Sequence, residues 1–222
     1  MLWSFIACLS TPETQLTGTV FDSSSTPVSQ AKVVVHDQDG NMFSQANADP
    51  DGFFDVALPT LSTFFIVASA EGMPPQSFTG VSGQGETTVP DGTIWLRQQQ
   101  EINDRMAEFS QCSQTSMPMI DGQIVVGIPG QSLADLPVVT TASVVALNDD
   151  QDAIAGCYLS DTEEPATQTG ESGQYAVMGI EAGIHTLRVT VNYDENTVES
   201  FDHLIYVPEQ GAAPMYPTII PL

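Results

Sequence analysis

The sequence is poor in basic residues. Its 222 residues include only 4 Lys and Arg against 28 Asp and Glu, which gives a formal net charge of −24 at pH 7. Proteins that bind nucleic acid neutralise phosphates with clustered Lys and Arg, and anionic membrane surfaces attract polybasic segments. The composition therefore argues against a nucleic-acid partner and against adsorption to an anionic membrane surface.

Long apolar runs and catalytic motifs are also missing. No segment approaches the roughly 18 apolar residues that indicate a transmembrane helix. There is no G-x-S-x-G, no H-E-x-x-H and no glycine-rich phosphate loop. The three histidines, His36, His185 and His203, lie far apart in separate strand patterns. We therefore predict a non-enzymatic protein with no catalytic residue, no cofactor, no metal site and no transmembrane helix.

The acidity itself has two interpretations. Apolar residues make up 41% of the chain, so the composition of a disordered protein, which combines high charge with low hydrophobicity, is only half met. A saline exterior would screen the self-repulsion of an acidic surface. Alternatively, the acidic surface collects divalent cations. We favour the first interpretation.

The N-terminal segment resembles the end of a bacterial lipoprotein signal. Met1–Ala7 is largely apolar, Phe5-Ile6-Ala7-Cys8 would be the lipobox, and Cys8 would become the acylated first residue. The run is shorter than a usual signal, lacks a basic segment before it, and has Phe5 where the family favours Leu. The alternative is a buried N-terminal strand with a free thiol. Because no Asp follows Cys8, the resemblance implies an outer-membrane lipoprotein, held by its lipid anchor alone.

Two cysteines remain if Cys8 carries lipid. An even remainder in an exported protein predicts a disulfide between Cys112 and Cys157. This bond would close a loop of about 45 residues and contribute roughly 4 kcal/mol on the chain-entropy estimate. Two unpaired thiols are the alternative, and a zinc site is less favoured because no His pair lies nearby.

The chain contains an internal repeat. Four segments of the first half return in the same order in the second half, with spacings that require two insertions in the second copy. The insertions fall in 129–137 and 148–170, which are rich in turn-forming and acidic residues. The matched pairs are Leu16–Val20 with Ile120–Ile124, Ala31–Val35 with Ala142–Ala146, Asp51–Val56 with Ser172–Val177, and Phe64–Ala68 with His185–Val189.

Each copy has the pattern of short strands. Apolar and polar residues alternate in Phe54–Leu58 and Leu187–Val191, and turn sequences such as Asp51-Gly52 separate the runs. The spacing predicts about seven strands per copy in two antiparallel sheets packed face to face. On this pattern we assign His185 and Trp95 to core positions.

A short helix is predicted between the copies. Ile102, Met106 and Phe109 lie on one helical face, and Glu101 and Arg105 form an i,i+4 pair. The apolar face would pack against one of the sandwiches; the alternative is a flexible linker. The predicted organisation is a signal remnant and tether at 1–13, a first sandwich at 14–97, a helical linker at 98–118 and a second sandwich at 119–222.

The motifs of the first copy also follow the order of a known family. Gly18-Thr19-Val20 is followed by Pro27–Val35, Asp51–Val56 and Phe64–Ile66. This order resembles the carboxypeptidase regulatory-like domain, a transthyretin-like β-sandwich. The second copy fits less closely, through Gly170–Tyr175 and Gly183–Leu187. The resemblance implies two seven-stranded transthyretin-like antiparallel β-sandwich domains joined by a short helix, with a scaffold or binding role and no reaction.

Acidic loops and tyrosines leave room for a ligand-binding function. The run from Asp37 to Asn41 has the ligand types of a calcium loop, but Ala48 stands where an EF-hand needs its closing Glu. Turn geometry alone also explains Asp and Asn at such positions. The other acidic-loop residues are Asp49, Asp51, Asn148–Asp152 and Asp161–Glu164. The tyrosines considered for glycan binding are Tyr193, Tyr206 and Tyr216.

The expected function follows from these observations together. We expect an exported lipoprotein that acts as a structural or protein-interaction module at the cell envelope or surface. Its partners would be other envelope or surface proteins, engaged through sheet edges and loops. The alternative is a glycan- or calcium-binding accessory module.

Overall fold

A computed structural model describes most of the chain. The described residues are 13–59, 61–83, 86–109, 112, 116–127, 135–148, 150, 152–159, 167–193 and 197–221. The predicted lipidation site Cys8 lies outside them, as do Asp149, Gln151 and Asp161–Glu164 of the acidic loops. In the described part of the chain, no helix is long and apolar enough to cross a bilayer.

Seven strands build the first half as two layers. The three-stranded layer has the order β4-β1-β7, and the other layer has the order β6-β5-β2-β3. Alternate residues point into the space between the layers, where Leu16, Phe54, Ile66 and Ile94 form part of one apolar core. The strands are β1 (Glu13–Asp22), β2 (Lys32–Asp37), β3 (Met42–Asn47), β4 (Phe53–Pro59), β5 (Thr63–Ala70), β6 (Met73–Val81) and β7 (Glu86–Leu96).

The second half has its own pair of layers and its own core. One layer has the order β10-β9-β13-β14 and the other contains β11-β12-β8-β15. Ile124, Val144, Tyr175 and Leu187 belong to the core between them. The strands are β8 (Met119–Gly127), β9 (Ala142–Leu147), β10 (Ala153–Ala155), β11 (Cys157–Tyr158), β12 (Gln174–Met178), β13 (Gly183–Asn192), β14 (Val198–Val207) and β15 (Ala212–Pro221).

The two halves share one strand order. The layer β4-β1-β7 corresponds to β12-β8-β15, and β6-β5-β2-β3 corresponds to β14-β13-β9-β10. The predicted repeat pairs fall on corresponding strands, so Leu16 of β1 and Ile120 of β8 occupy the same layer of their halves. The sandwich architecture expected from the sequence is therefore confirmed.

Two details of that expectation are wrong. The second half has eight strands among the described residues rather than seven, because the short β11 adds an edge strand next to β12. The sheets are also not purely antiparallel: β1 pairs with β7 and β8 pairs with β15 in parallel. A local alternation of apolar and polar residues does not distinguish the two pairing directions, so the sequence pattern carried no signal for this.

The predicted helix is present as α1 (Gln99–Glu108). At its start the backbone N–H of Gln98 donates to the Glu101 carboxylate over 2.6 Å, which satisfies one of the free donors at a helix N-terminus. Ile102 and Phe109 are fully buried against Met119 and Ala212. The apolar face of the helix therefore packs on the second half, as expected.

One sheet runs through both halves. Strand β15 of the second half lies next to β6 of the first, with Ala212 opposite Gln76 in parallel register. This contact joins the two sandwiches into a continuous eight-stranded sheet with the order β11-β12-β8-β15-β6-β5-β2-β3. The halves are thus connected by backbone pairing as well as by the helix.

Candidate functional site

The junction between the two halves contains a buried ionic cluster. Arg97 follows β7, and its Nη1 and Nη2 atoms each donate a hydrogen bond of 2.8 Å to the Asp121 carboxylate on β8. Arg105 of α1 approaches the same carboxylate, with Nε 3.4 Å from Oδ2. Asp121 is only 3% exposed. Two of the four basic residues of the chain therefore converge on one buried carboxylate.

Two glutamines hold the arginines in place. Arg97 Nε donates to Gln76 Oε1 over 3.3 Å, and Gln76 Nε2 donates to the Arg97 carbonyl over 3.2 Å. Arg105 Nη1 donates to Gln174 Oε1 over 2.9 Å. Because Gln76 lies on β6 and Gln174 on β12, the cluster connects both sandwiches with the helix.

The surroundings of Arg105 differ from the sequence expectation. Its ion pairs are with Glu108 and Asp121 rather than with Glu101. The guanidinium carbon also lies 4.8 Å from the centre of the Phe109 ring, in a cation–π contact. The predicted i,i+4 pair is therefore wrong, because the buried carboxylate and the aromatic face compete for this cation.

A cleft of about 410 Å³ opens onto this cluster. It is lined by both arginines, by Asp121 and by the helix carboxylates Glu101, Asp104 and Glu108. Its described lining residues include no Ser, Cys or His, and its titratable side chains are the two arginines and these carboxylates. The arrangement is suited to joining structural elements.

Cys112 and Cys157 come together beside the helix. The structure joins them as a disulfide with Cα atoms 6.0 Å apart, within the range such bonds require. Cys157 begins β11, and the next residue, Tyr158, is buried with its hydroxyl 2.6 Å from the Val144 backbone nitrogen. Burial raises the pKa of Tyr158. The extra edge strand is therefore fixed on one side by the disulfide and on the other by a buried tyrosine.

A second contact between the halves is aromatic. Tyr206 of β14 stacks on His36 of β2 with ring centres 4.7 Å apart, and lies 5.8 Å from the ring of the fully buried Phe65. The Ser77 hydroxyl donates to the Tyr206 carbonyl. Tyr206, which the sequence offered as a glycan-binding residue, is thus part of the junction.

The other two histidines have internal positions. His185 is 6% exposed, as its core assignment requires, and its Nε2 lies 2.8 Å from the Glu181 carbonyl. His203 is half-buried on β14, and removal from water lowers its pKa. Its neighbour Asp202 forms two 2.7 Å hydrogen bonds with Arg188, which lower the pKa of that carboxyl. The three histidines do not form a common site.

The two acidic loops of the first half are turns in which a carboxylate accepts hydrogen bonds from nearby backbone N–H groups. Asp37 accepts hydrogen bonds from the backbone nitrogens of Asp39 and Asn41, at 3.0 and 2.8 Å. Asp49 accepts from those of Asp51 and Phe53, both at 2.9 Å. In the described ranges, no three His, Cys, Asp or Glu side chains come together as a metal site would require. This geometry agrees with the interpretation that Asp and Asn occur here because they favour turns.

Trp95 is the clearest error of the sequence reasoning. It is 48% exposed and packs against Phe21 on the outer face of β4-β1-β7, with ring centres 5.6 Å apart. Its neighbours Ile94 and Leu96 point into the core, so the period-two rule places Trp95 outside. Tyr193 is also 48% exposed, but on the second half; the side chain of Tyr216 lies outside the described part.

The ionic cluster was missed altogether by the sequence reasoning. Arg97 and Asp121 belong to different halves, and neither stands in a recognisable motif. The one available signal was the scarcity of cations, since a rare Arg next to a domain boundary is a candidate for a specific ion pair.

Comparisons with known proteins give distant matches to solved structures and a match to one family model. Among curated proteins no match is found. Of the solved structures, the Bacillus anthracis TIE protein is 12% identical with a TM-score of 0.34; the match covers 94% of this chain, which spans about a third (33%) of that protein. The minor pilin GBS52 of Streptococcus agalactiae is 10% identical with a TM-score of 0.32 and 94% coverage of both chains. The major pilin BcpA of Bacillus cereus is 9% identical with a TM-score of 0.32, covering 89% of this chain and 69% of its own. Residues 15–94 match the family model of the carboxypeptidase regulatory-like domain.

Proposed function

We propose that this chain is a non-enzymatic, exported structural and protein-interaction module that acts as one rigid unit at the cell envelope or surface. The observation that carries the proposal is the junction. A continuous sheet, a buried Arg97–Asp121–Arg105 cluster and an aromatic stack connect the two sandwiches. Each of these contacts is lost if one sandwich moves relative to the other, so together they favour a single arrangement of the two halves.

The second half is proposed to be a diverged second copy of the first domain. Its layers repeat the strand order of residues 15–94, and its matched segments lie on corresponding strands. The predicted insertion at 148–170 contains the extra strand β11. Duplication lengthens a module without a new fold, which suits a spacer that holds a surface away from an anchor.

Export and anchoring belong to the same proposal. Acylation at Cys8 would tether the unit, and the Cys112–Cys157 bond persists in oxidising compartments. A net charge of −24 suits a surface exposed to salt. The proposed location is the outer face of the envelope, with envelope or surface proteins as partners.

The rigidity is tested by a distance measurement between the halves. Spin labels are placed at Met42 and Val198, both well exposed, through unnatural amino acids that leave the cysteines intact. We expect a single narrow distribution of distances in the full chain. The variant Asp121→Asn should broaden it, whereas Asp202→Asn, which removes an exposed ion pair within the second half, should not. A broad distribution in the unmodified chain would overturn the proposal.

The anchor is tested separately by intact mass. The protein is extracted from its native cells and weighed with and without reductant. We expect a chain that begins at Cys8 and carries acyl groups, and a gain of two hydrogen atoms on reduction. An unprocessed, fully reduced chain would contradict the export proposal and leave the rigid-unit proposal standing.

A further inference from the structure

The outer face of the first three-stranded layer carries an exposed apolar surface. We define the aromatic patch as Phe21, Pro27, Phe53 and Trp95. Trp95 and Phe53 are 48% and 45% exposed, although each lies in a strand of a well-packed sandwich. Large apolar side chains that gather on a solvent face mark interaction sites more often than scattered ones do.

The strand register brings these residues together. Phe21 of β1 is opposite Trp95 of β7, and it forms an isolated bridge with Pro27 on its other side. Phe53 of β4 is opposite Thr19, one step along the same face of β1. Side chains at opposite and diagonal positions on one face of a sheet are in contact range. The patch is therefore continuous across all three strands.

The sandwich core does not need these side chains. The alternate residues Val20, Phe54 and Ile94 already fill the inner face of the same strands and are almost fully buried. The sequence thus supplies a second, outward set of aromatic residues at positions where Thr, Lys or Glu would serve solubility better. Packing of the sandwich core therefore does not explain why these outward positions hold aromatic residues.

The patch lies in a negative environment. Asp22 adjoins Phe21, Asp49 and Asp51 lie in the turn before Phe53, and Asp55 follows Phe53 on the same face of β4. The nearest cation in sequence, Arg97, is turned towards Asp121. Among the described residues, the remaining basic side chains lie on β2, α1 and β13. Aromatic rings edged by carboxylates favour a cationic group, which the ring faces and the acids both attract.

We propose that the aromatic patch binds a segment of a partner protein that carries arginine or lysine side chains. The cations would stack on Trp95 and Phe21 while Asp55 and Asp51 supply the counter-charges. A second copy of this chain is disfavoured as the occupant because it carries the same charge of −24. This inference rests on the proposed interaction function and specifies the chemistry of its partner.

The test uses defined peptides and the full chain. The probe is a short peptide that alternates arginine and serine, and binding is followed by calorimetry and by the fluorescence of Trp95 in a Trp3→Phe background. We expect binding that weakens from low salt to about 0.5 M NaCl. The substitution Trp95→Ala should lower the affinity about tenfold, from the loss of cation–π and apolar contact.

Matched variants separate the patch from general acidity. Tyr193→Ala removes an aromatic residue of the same exposure on the other half and should leave the affinity unchanged. Asp55→Asn should weaken the binding, whereas Glu209→Gln, at an exposed acid of the second half, should not. Equal losses in Trp95→Ala and Tyr193→Ala would overturn the proposal, since they would mean non-specific attraction.

Alternative occupants give their own outcomes. Binding of a neutral oligosaccharide at Trp95 with no binding of the arginine peptide would overturn the proposal in favour of a glycan. Concentration-dependent dimerisation abolished by Trp95→Ala, without peptide binding, would overturn it in favour of a second copy. Neither result would affect the distance measurement between the halves, so failure here is distinguishable from failure of the rigid-unit proposal.

Discussion

Arg97 and Asp121 form a bidentate ion pair, with two hydrogen bonds of 2.8 Å, across the boundary between the two halves of the chain. Their side chains are 15% and 5% exposed, so neither charge is well solvated. Such a pair adds little stability compared with an apolar pair of the same shape, but the loss of one partner leaves a buried charge uncompensated. We therefore propose that the pair acts mainly by requiring that the two halves meet in one arrangement.

The first prediction concerns the carboxylate of this pair. Asp121→Asn keeps the shape of the side chain but leaves Arg97 and Arg105 without their shared counter-charge. We expect the free energy of unfolding to fall by about 3 kcal/mol, measured by denaturant titration. Asp202→Asn, at an ion pair that is nearly half exposed, is the control and should cost much less. Equal losses in the two variants would show that the buried pair has no special role.

The second prediction concerns the strand contact between the halves. A Cβ atom added at Gly211 would lie 2.2 Å from the Pro75 carbonyl oxygen, so Gly211→Ala must push β15 away from β6. We expect a loss of about 1–3 kcal/mol in the free energy of unfolding and a broader distance distribution between labels on the halves. Gly83→Ala is the control, because its Cβ would meet nothing within 4 Å. An unchanged Gly211→Ala protein would mean that the strand contact is dispensable.

The third prediction concerns the disulfide. Replacing Cys112 and Cys157 together by Ser opens a loop of 45 residues. On the chain-entropy estimate this costs about 4 kcal/mol, which a denaturant titration without reductant would measure. Adding reductant to the unmodified protein should reproduce the loss, and reductant should have no effect on the double variant. If the stability of the unmodified protein does not respond to reductant, the bond is absent.

The fourth prediction concerns pH. Because burial lowers the folded-state pKa of His203 below its ordinary 6.5, the unfolded chain binds a proton more readily than the folded one. Stability should therefore rise with pH through the region just below 6.5 and level off above it. His203→Phe should remove this slope. The slope would persist in that variant if another group caused it.

A separate acid effect is expected at lower pH. The Asp202 carboxyl has a folded-state pKa below its ordinary 3.8 because it accepts hydrogen bonds from Arg188. Its contribution to the free energy of unfolding is fully present above the ordinary value of 3.8 and is lost as the pH falls through the folded-state pKa. Asp202→Asn should remove only this more acidic part of the profile, so the two groups are distinguished by their pH ranges.

The layered β-architecture and the helix could be predicted from local patterns. Alternation in Phe54–Leu58 and turn sequences such as Asp51-Gly52 depend only on neighbouring residues, and so does the apolar face of α1. The repeat added long-range information, since it implied the same strand order twice. The pairing direction could not be predicted, because β1 and β7 are far apart in sequence and local patterns do not distinguish parallel from antiparallel pairing.

The functional features were harder to predict because they depend on contacts between distant residues. Arg97, Asp121 and Gln76 stand on different elements, and only the folded arrangement brings them together. Trp95 is a different case, since the period of its own strand pointed outwards. Its assignment to the core followed the general preference of Trp for burial. In the structure the alternation of β7 decides instead, and Trp95 faces outwards.

In each half the first strand pairs in parallel with the last, and this pairing determines how the unit would carry tension. If a pulling force enters through β1 and leaves through β15, it acts along strands that pair in parallel with β7 and β8. The backbone hydrogen bonds of these ladders are then loaded in shear and must break together, whereas a hairpin would peel open one bond at a time. The module would therefore resist a stretching force that is applied between its two ends.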